Sequence, residues 1–561
     1  MKPIDQVPNA PISNDGRGAG RMLILVTLAA VALHACGLWR PLIDRHDWGS
    51  AHQAQFGRNH VRYGLAETKG RCVYSLFQRR LPEARHFYPD HPPLLSLSLA
   101  ASMAVFGVND IAVRLVPALS TVIAIVLTTS IAIGLFGRRV GLLSGVVMLA
   151  LPIFTYFGRT ACHETLVLSF CLLAMRGYLG WTYGERFSGS SRLNAFVFAL
   201  GTILSILTGW VAFIQAGVVA IHFAVGVWRR DRSGRLSGWL LVTWPALFAA
   251  TLTALHILWT LNWQIGHLYE LFAYRSGIKK SEKLLTTEVW LVQQGIWLIR
   301  NLTTTGLVVV VAGMMIRTLG KLRRPSGSRS RTARGRKLAQ KRTAAMESTT
   351  GGGTASVMSR FWLLGSTGLL FVIIFRSASL LHEYWWIHFA PYFAMLAGEA
   401  VARIDLKISR WSRGLAAVIT CLVLAGIAVE GAAEKSIFHH RRRLPAAAHE
   451  ACQFIADNAP PDAIIYGNRK LWATRSYYEG AVQFLHPQFC WYMDRMYYYV
   501  ASDQGLENIA PRCEYYLWVG FDDKNRRLAE RLSEMGDVVR RWPNAIIFDL
   551  TGRSRRGERG N

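Results

Sequence analysis

The sequence predicts a polytopic α-helical membrane protein with a small α/β domain at its C-terminal end. The 561-residue chain is 51% hydrophobic and has a mean hydropathy of +0.21. It nevertheless carries 64 Lys and Arg against 35 Asp and Glu, a formal charge of +29. A soluble protein with such an excess charge would be hydrophilic overall. The two properties agree if apolar spans alternate along the chain with basic loops.

The same composition excludes several other classes of protein. A disordered chain would have fewer apolar residues, collagen would show a glycine period, and eight Cys are too few for a disulfide scaffold. Nucleic-acid binding is not expected either. The most basic segment, 319–360, holds eleven Lys and Arg among Ser, Gly and Thr, without interleaved aromatic residues. This loop is expected to determine topology and to contact anionic lipid head groups.

About eleven membrane spans are predicted, with thirteen as the alternative. Residues 1–21 are polar and are expected to form a disordered cytoplasmic tail, and 22–39 an uncleaved first span. The further spans are 112–136, 140–157, 163–183, 193–209, 211–227, 237–260, 297–318, 361–380, 384–402 and 414–431. The run 92–107 is short and opens with two prolines, which favours an interfacial or re-entrant helix. The count is least certain at 193–227, where only Gly209-Trp210 separates two short spans.

Charge then predicts the orientation in an inner or plasma membrane. Basic residues concentrate at 137–139, 184–192, 228–236, 319–360 and 403–413, which are therefore assigned to the cytoplasm. The N-terminus is then cytoplasmic and the C-terminal domain extracytoplasmic. A membrane module, 22–431, carries two large external loops, 40–111 and 261–296. Residues 432–561 form the external domain, so any chemistry is expected on the external side.

The external domain is predicted to contain alternating strands and helices. Helices are expected at 447–458, near 471–479 and at 523–535, and strands at 463–466 and 515–519. Residues 538–541 and 545–549 are expected to form a closing hairpin. A doubly covered sheet follows, acting as a lid or an acceptor-binding domain. One disulfide is plausible among Cys452, Cys490 and Cys513, although three cysteines cannot all pair internally.

Candidate chemistry lies mostly in the first external loop. Asp44 and Asp47 follow the first span directly, and 49–65 has the spacing of a helix lying along the membrane surface. Further motifs are Tyr88…His91-Pro92-Pro93-Leu94 and Arg114-Leu115-Val116-Pro117-Ala118-Leu119. Later come Gly158-Arg159-Thr160-Ala161-Cys162-His163-Glu164 and Leu381-His382-Glu383-Tyr384-Trp385.

The order of these motifs resembles the membrane-embedded GT-C glycosyltransferases of the protein O-mannosyltransferase and lipid A aminoarabinose transferase type. That family has an acid, usually Asp-Glu, after the first span, then a Pro-Pro-Leu motif and an Arg-Leu-Pro-Ser-Ala-Leu motif. The resemblance covers about 20–430. It departs at two places, because Trp48 stands where the second acid is expected and His163-Glu164 where the family has an Asp.

The resemblance implies transfer of a hexosyl or pentosyl group from a polyprenyl phosphate donor to a hydroxyl of a lipid, glycan or protein. An external enzyme has no pool of nucleotide sugars, so delivery of the donor in the bilayer fits this chemistry. The reaction needs a base for the acceptor hydroxyl and cations for the departing phosphate. Asp47 is predicted as the base, with Asp44 as competitor. His91, Arg114 and Arg58 are predicted to bind the phosphate.

Two further clusters are predicted to shape the pocket. They are Arg159 with His163 and Glu164, and His382 with Glu383 and Tyr384. No cofactor is required by the sequence. Whether a divalent metal takes part stays open, since His163 and Glu164 supply only two ligands.

Two alternative functions remain at this point. A transporter or flippase of a lipid-linked sugar would place ionisable residues deep within its spans. Here they gather at span boundaries, which favours the enzyme. In a non-catalytic scaffold with an external binding domain, the same boundary clusters would be incidental.

Overall fold

The computed structural model describes most of the chain with gaps. The described residues are 16–44, 46–74, 88, 91–184, 187, 189–227, 235–261, 263, 265–276, 286–322, 354–440, 444–460, 463–468, 486–495, 497–499, 506, 514–520 and 526–550. Most of the basic loop 319–360 and the helix predicted near 471–479 lie outside these residues, as does Cys513.

Helices make up the described part of the membrane module. They are α1 (Gly16–Ala35), α2 (Asp47–Thr68), α3 (Leu94–Phe106), α4 (Asp110–Phe136), α5 (Arg138–Ala150), α6 (Pro152–Phe157), α7 (His163–Tyr183), α8 (Ser191–Ile206), α9 (Val211–His222), α10 (Arg235–Thr260), α11 (Ile265–Ser276), α12 (Thr287–Leu302), α13 (Thr304–Leu322), α14 (Thr354–Ile374), α15 (Arg376–Leu381), α16 (Ala390–Ile408) and α17 (Arg413–His440). A 3₁₀ turn, Glu383–His388, joins α15 to α16.

Five helices in the described residues are long and apolar enough to cross a membrane. They are Gly18–Ala35, Asp110–Phe136, His163–Tyr183, Leu236–Thr260 and Arg413–Ile437. A sixth candidate is the pair Thr287–Leu302 and Thr304–Ile316, which is bent by 97°. The chain is therefore a membrane protein, while the count of eleven spans and their orientation stay predictions.

The run 92–107 forms the short helix α3, which fits its exclusion from the predicted spans. Its 13 residues rise about 20 Å, short of the roughly 30 Å hydrocarbon core of a bilayer. Gly107, at φ +82°, ends the helix. Asn109 then starts α4, because its side chain accepts a hydrogen bond of 2.9 Å from the Ala112 N–H. This start places Arg114 in the first turns of α4.

The predicted span 140–157 is broken. Leu151 is extended, as expected of a residue that precedes proline, and it separates α5 from α6. The break turns α6 and the following residues toward the first loop. Tyr156 and Arg159 are thereby brought close to Asp47.

The helix predicted at 49–65 is present as α2, and its position along the membrane surface stays a prediction. Residues 50–60 are all buried. Gln55 donates to the Pro487 carbonyl at 3.1 Å, and Asn59 donates to the Val73 carbonyl at 2.7 Å. Several polar side chains of α2 therefore donate to backbone carbonyls of other segments.

The C-terminal domain contains a five-stranded mixed sheet. Its strands are β1 (Ile465–Gly467), β2 (Tyr497–Tyr499), β3 (Tyr515–Val519), β4 (Asp537–Trp542) and β5 (Ala545–Asp549), in the order β2-β1-β3-β5-β4. Strand β1 pairs in parallel with β2 and β3, while β5 pairs antiparallel with β3 and β4. The predicted hairpin is therefore present. The helices are α18 (Ala446–Asn458), α19 (Pro487–Met493) and α20 (Arg526–Met535).

Alternation along β3 directs its side chains into two cores. Leu517 and Val519 pack with α18 and α19, while Tyr516 and Trp518 pack with α20 on the opposite face. Cys452 and Cys490 are buried in the first of these cores as free cysteines. Burial raises the pKa of the Cys490 thiol to about 11. The disulfide predicted among Cys452, Cys490 and Cys513 is thus not formed between Cys452 and Cys490, and Cys513 lies outside the described residues.

Close packing of α5 against α16 gives a first prediction. A Cβ at Gly398 would lie 2.8 Å from the backbone nitrogen of Ser144. We expect Gly398→Ala to force the two helices apart and to lower the free energy of unfolding by about 1–3 kcal/mol. Thermal unfolding in detergent measures this. Gly217→Ala is the matched control, because a Cβ at Gly217 meets nothing within 4 Å; equal stability of the two variants would contradict the packing argument.

Candidate active site

Asp47 is buried at the start of α2, 3% exposed, and paired with a buried arginine. Its Oδ2 accepts hydrogen bonds of 2.9 Å from Arg114 Nη2 and from the Asp44 backbone N–H. Arg114 also donates to the carbonyls of Arg40 and Pro41, both at 2.9 Å. The guanidinium therefore fixes both the carboxylate and the chain that leads to it.

These groups border a small cavity of ≈ 10 Å³, called here the Asp47 cavity. Its lining comprises Gly37, Arg40, Asp44, Asp47, Arg114, Tyr156, Arg159 and Thr160. Three arginines and two carboxylates thus face one small space. Arg159 donates to the Cys36 and Thr155 carbonyls, and its own carbonyl lies 3.4 Å from Arg114 Nη1. The predicted residue Arg159 therefore belongs to the Asp47 cavity.

A second small cavity of ≈ 10 Å³, called here the His91 cavity, contains other predicted residues. It is lined by His91, His163, Glu164, Val167, Gly209, Trp210, Val211, Arg275, Phe371, Phe375, Trp385 and His388. The rings of His91 and His163 stack at 4.0 Å, and both terminal nitrogens of Arg275 lie 3.4 Å from His91 Nε2.

Arg275 is the cation of the His91 cavity. Burial, with help from His163 and Arg275, lowers the pKa of His91 well below its ordinary value. His91 is therefore neutral near pH 7, and the permanent positive charge belongs to Arg275. No motif singled out Arg275, although it lies in the predicted external loop 261–296.

The segment 382–385 connects the two cavities. Glu383 Oε1 lies 2.9 Å from Nε2 of His46, the residue before Asp47, while Trp385 lines the His91 cavity. The Tyr384 hydroxyl lies 3.0 Å from His382 Nδ1. Burial, with Arg275 and His46 close by, lowers the pKa of His382 to about 3. The three predicted clusters at 47, 163–164 and 382–384 thus converge.

Glu164 and His163 both face the His91 cavity, which Trp385 also lines. Within the described residues there is no group of three or more His, Cys, Asp or Glu side chains that could hold a metal ion. Asp90, which precedes His91, is outside these residues.

Arg58 is not brought to Asp47. It faces the C-terminal domain, where Nη1 lies 2.8 Å from Asp494 Oδ1 and donates to the Trp491 carbonyl at 3.0 Å. The predicted phosphate-binding role for Arg58 finds no support in these contacts. Its position instead joins α2 to α19.

A second prediction follows from this junction. We expect Arg58→Met to lower stability by about 2–4 kcal/mol and to speed tryptic cleavage between the membrane module and the C-terminal domain, because Asp494 and two carbonyls lose a buried donor. Arg62→Met is the matched control. Arg62 also pairs with Asp494, but its side chain is 41% exposed, so we expect a loss below about 1 kcal/mol. Comparable effects of the two variants would refute the junction role.

Comparison with known proteins provides an independent view of this fold. Residues 90–263 match the family model for dolichyl-phosphate-mannose-protein mannosyltransferase. The structure is similar to ArnT from Cupriavidus metallidurans bound to undecaprenyl phosphate, with a TM-score of 0.61 and 15% identity over 94% of this chain and 98% of that chain. The chain has the GT-C fold.

A second similar structure is the Archaeoglobus fulgidus oligosaccharyltransferase in complex with Zn and sulfate. Its TM-score is 0.55 at 12% identity, over 89% of this chain and 68% of that chain. No curated protein sequence matches. The resemblance predicted from the motifs is thereby confirmed. The family-model match includes His91, Arg114, Arg159 and Glu164, but neither Asp47 nor 382–384.

Proposed function

We propose that this GT-C protein transfers a sugar from a polyprenyl phosphate donor to a hydroxyl group of a lipid, glycan or protein, on the external face of the membrane. The observation that carries the proposal is the buried Asp47–Arg114 pair in a cavity beside a second cavity containing Arg275. A buried charged pair is costly to maintain, and such pairs cluster at functional sites.

In the proposed step, the acceptor hydroxyl gives its proton to the Asp47 carboxylate. Its oxygen forms a bond to the anomeric carbon of the donor, and the bond between that carbon and the phosphate oxygen breaks. The electron pair leaves with the polyprenyl phosphate. Protonated Asp47 later releases its proton to water. Acceptor and phosphate lie on opposite sides of the reacting carbon, which gives inversion.

Donor phosphate is assigned to the His91 cavity. Arg275 offers a charged fork there, and neutral His91 accepts from it and so orients it. The N–H groups of Arg114 donate to Asp47 and to backbone carbonyls, so Arg114 orients the base rather than the phosphate. The similar structure of ArnT is bound to undecaprenyl phosphate, and that of the archaeal oligosaccharyltransferase AglB is in complex with an inhibitory peptide and a dolichol-phosphate. Both support a lipid-linked donor.

The proposal is tested with purified protein in liposomes that contain a radiolabelled polyprenyl phosphate sugar, with membrane extract as the source of acceptor. We expect label to pass to an acceptor while unlabelled lipid phosphate is released. Movement of the intact labelled lipid between leaflets, without transfer, would contradict the proposal and favour a flippase.

A further inference from the structure

A cleft of ≈ 650 Å³, called here the interdomain cleft, lies between the membrane module and the C-terminal domain. Its walls come from α2, from the start of α4, and from α18 and α19. The Asp47 and His91 cavities, at ≈ 10 Å³ each, have room for about one water molecule. The interdomain cleft has the volume of a small-molecule binding site.

The interdomain cleft lies about one helical turn from the Asp47 cavity. Asp110 lines the cleft, and Arg114, four residues later on α4, lines the Asp47 cavity. Four residues of helix rise about 6 Å. Tyr492, which also lines the cleft, accepts a hydrogen bond from the Leu42 N–H in the segment that leads to Asp47. A molecule bound in the cleft can therefore extend toward the proposed base.

The charges that line the cleft cancel. Arg58 and Arg62 are matched by Asp110 and Asp494, and both arginines pair with Asp494. A phosphate group would meet two carboxylates as well as two guanidinium groups, and a cation would meet the same mixture. The cleft is therefore suited to an uncharged ligand.

Two aromatic rings line the cleft in fixed positions. Asp110 accepts hydrogen bonds from Trp491 Nε1 at 2.8 Å and from the Tyr492 hydroxyl at 2.9 Å. The Arg58 guanidinium lies 5.3 Å from the centre of the Trp491 ring, and the His449 ring packs edge-on against Tyr492 at 4.3 Å. Rings held in this way lose little conformational entropy when a ligand binds. The C–H groups of a sugar carry a small positive charge and pack well on aromatic faces.

The polar part of the lining mixes hydrogen-bond donors and acceptors. The amides of Asn109 and Gln453 offer both kinds, while the carboxylates accept and the guanidinium groups donate. A sugar hydroxyl also donates and accepts, so an uncharged saccharide matches this mixture. An extended peptide matches it less well, because such peptides pair their backbone with the edge of a sheet. The walls of this cleft are mainly helices, whose backbone groups bond within the helix.

We infer that the interdomain cleft binds an uncharged saccharide portion of the acceptor and thereby presents a hydroxyl of that acceptor to Asp47. The inference rests on the proposed function and specifies its acceptor. The residues that line the cleft bind the saccharide and take no part in the chemical step.

Two treatments of the acceptor extract test the chemical class of the ligand. One portion is oxidised with periodate, which cleaves the vicinal diols of saccharides, and is then quenched. A second portion is digested with proteinase K, which is then inactivated. We expect transfer to fall at least tenfold after periodate and to persist after digestion. Undiminished transfer after periodate, or its loss after digestion, would overturn the inference and leave the proposed function standing. No transfer to untreated extract would refute the proposed function, and the inference with it.

A variant that fills the cleft tests the location. Gln453 is exposed on α18 and lines the cleft, so Gln453→Trp adds bulk there without disturbing a core. We expect roughly a tenfold rise in the apparent KM for acceptor extract, with the KM for donor unchanged. Asn458→Trp is the matched control, because Asn458 is exposed on the same helix but does not line the cleft. An unchanged acceptor KM in Gln453→Trp, or an equal rise in Asn458→Trp, would overturn the inference.

Discussion

Asp47→Asn is expected to lower kcat for sugar transfer by about 10²- to 10⁴-fold, the usual contribution of a general base. The amide oxygen can still accept from Arg114 and from the Asp44 N–H, so the cavity keeps its shape. The amide of Asn has almost no affinity for a proton and therefore cannot act as the base. Initial rates with purified protein and saturating donor measure the change.

Asp44→Asn is the matched comparison for the effect of Asp47→Asn on kcat. Asp44 lines the same cavity and lies three residues before Asp47. Its backbone N–H donates a hydrogen bond to the Asp47 carboxylate. We expect a loss well below that of Asp47→Asn. If Asp44→Asn were the more damaging change, the role of base would pass to Asp44.

Arg114→Met is expected to have the largest effect on stability, lowering the free energy of unfolding by about 3–5 kcal/mol. Removal of the guanidinium leaves the Asp47 carboxylate buried without its counter-charge. The carbonyls of Arg40 and Pro41 lose a donor as well. Thermal unfolding in detergent, followed through buried cysteines, reports the loss.

The double variant Asp47→Asn/Arg114→Met separates charge from packing. Without the carboxylate, loss of the arginine should cost clearly less than it does in the wild-type background. Purely additive effects would mean that Asp47 and Arg114 contribute through packing alone. That result would contradict the assignment of the pair to a catalytic site.

Much of the site was predictable because its residues follow recognisable span boundaries. Asp47 follows the first apolar run, Arg114 opens the second long one, and His382 to Tyr384 precede another. An ionisable group that is buried at such a position needs a partner or a function. The structure supplies the partners, since Arg114 binds Asp47 and Glu383 contacts His46.

Other features were not accessible from the sequence because they depend on distant contacts. The sequence of α2 predicted the helix but not its partners, since Gln55 and Arg58 donate to carbonyls of residues 487, 490 and 491. Arg58 has the same spacing whether it faces lipid or protein, so only the fold distinguishes the two. Arg275 had no motif around it, and its importance comes from lying beside His91.

In the C-terminal domain, too, some strands were predictable from the sequence and others were not. Its hairpin was predictable from two short runs rich in β-branched residues, 538–541 and 545–549, with a turn at Pro543-Asn544 between them. The aromatic run containing Tyr497–Tyr499 was not predicted as a strand, and it forms the edge strand β2 by pairing with β1. Strand propensity there depends on the partner it packs against.

The most direct test of the central claim compares wild-type protein with Asp47→Asn and Asp405→Asn, each reconstituted with labelled polyprenyl phosphate sugar and acceptor extract. Asp405→Asn alters a buried carboxylate paired with Arg139 and controls for destabilisation. Wild type and Asp405→Asn should release one polyprenyl phosphate for each sugar transferred, and Asp47→Asn should lose both products together while still binding the donor. Transfer by Asp47→Asn at the wild-type rate would contradict the assignment of this cavity as the site of the reaction.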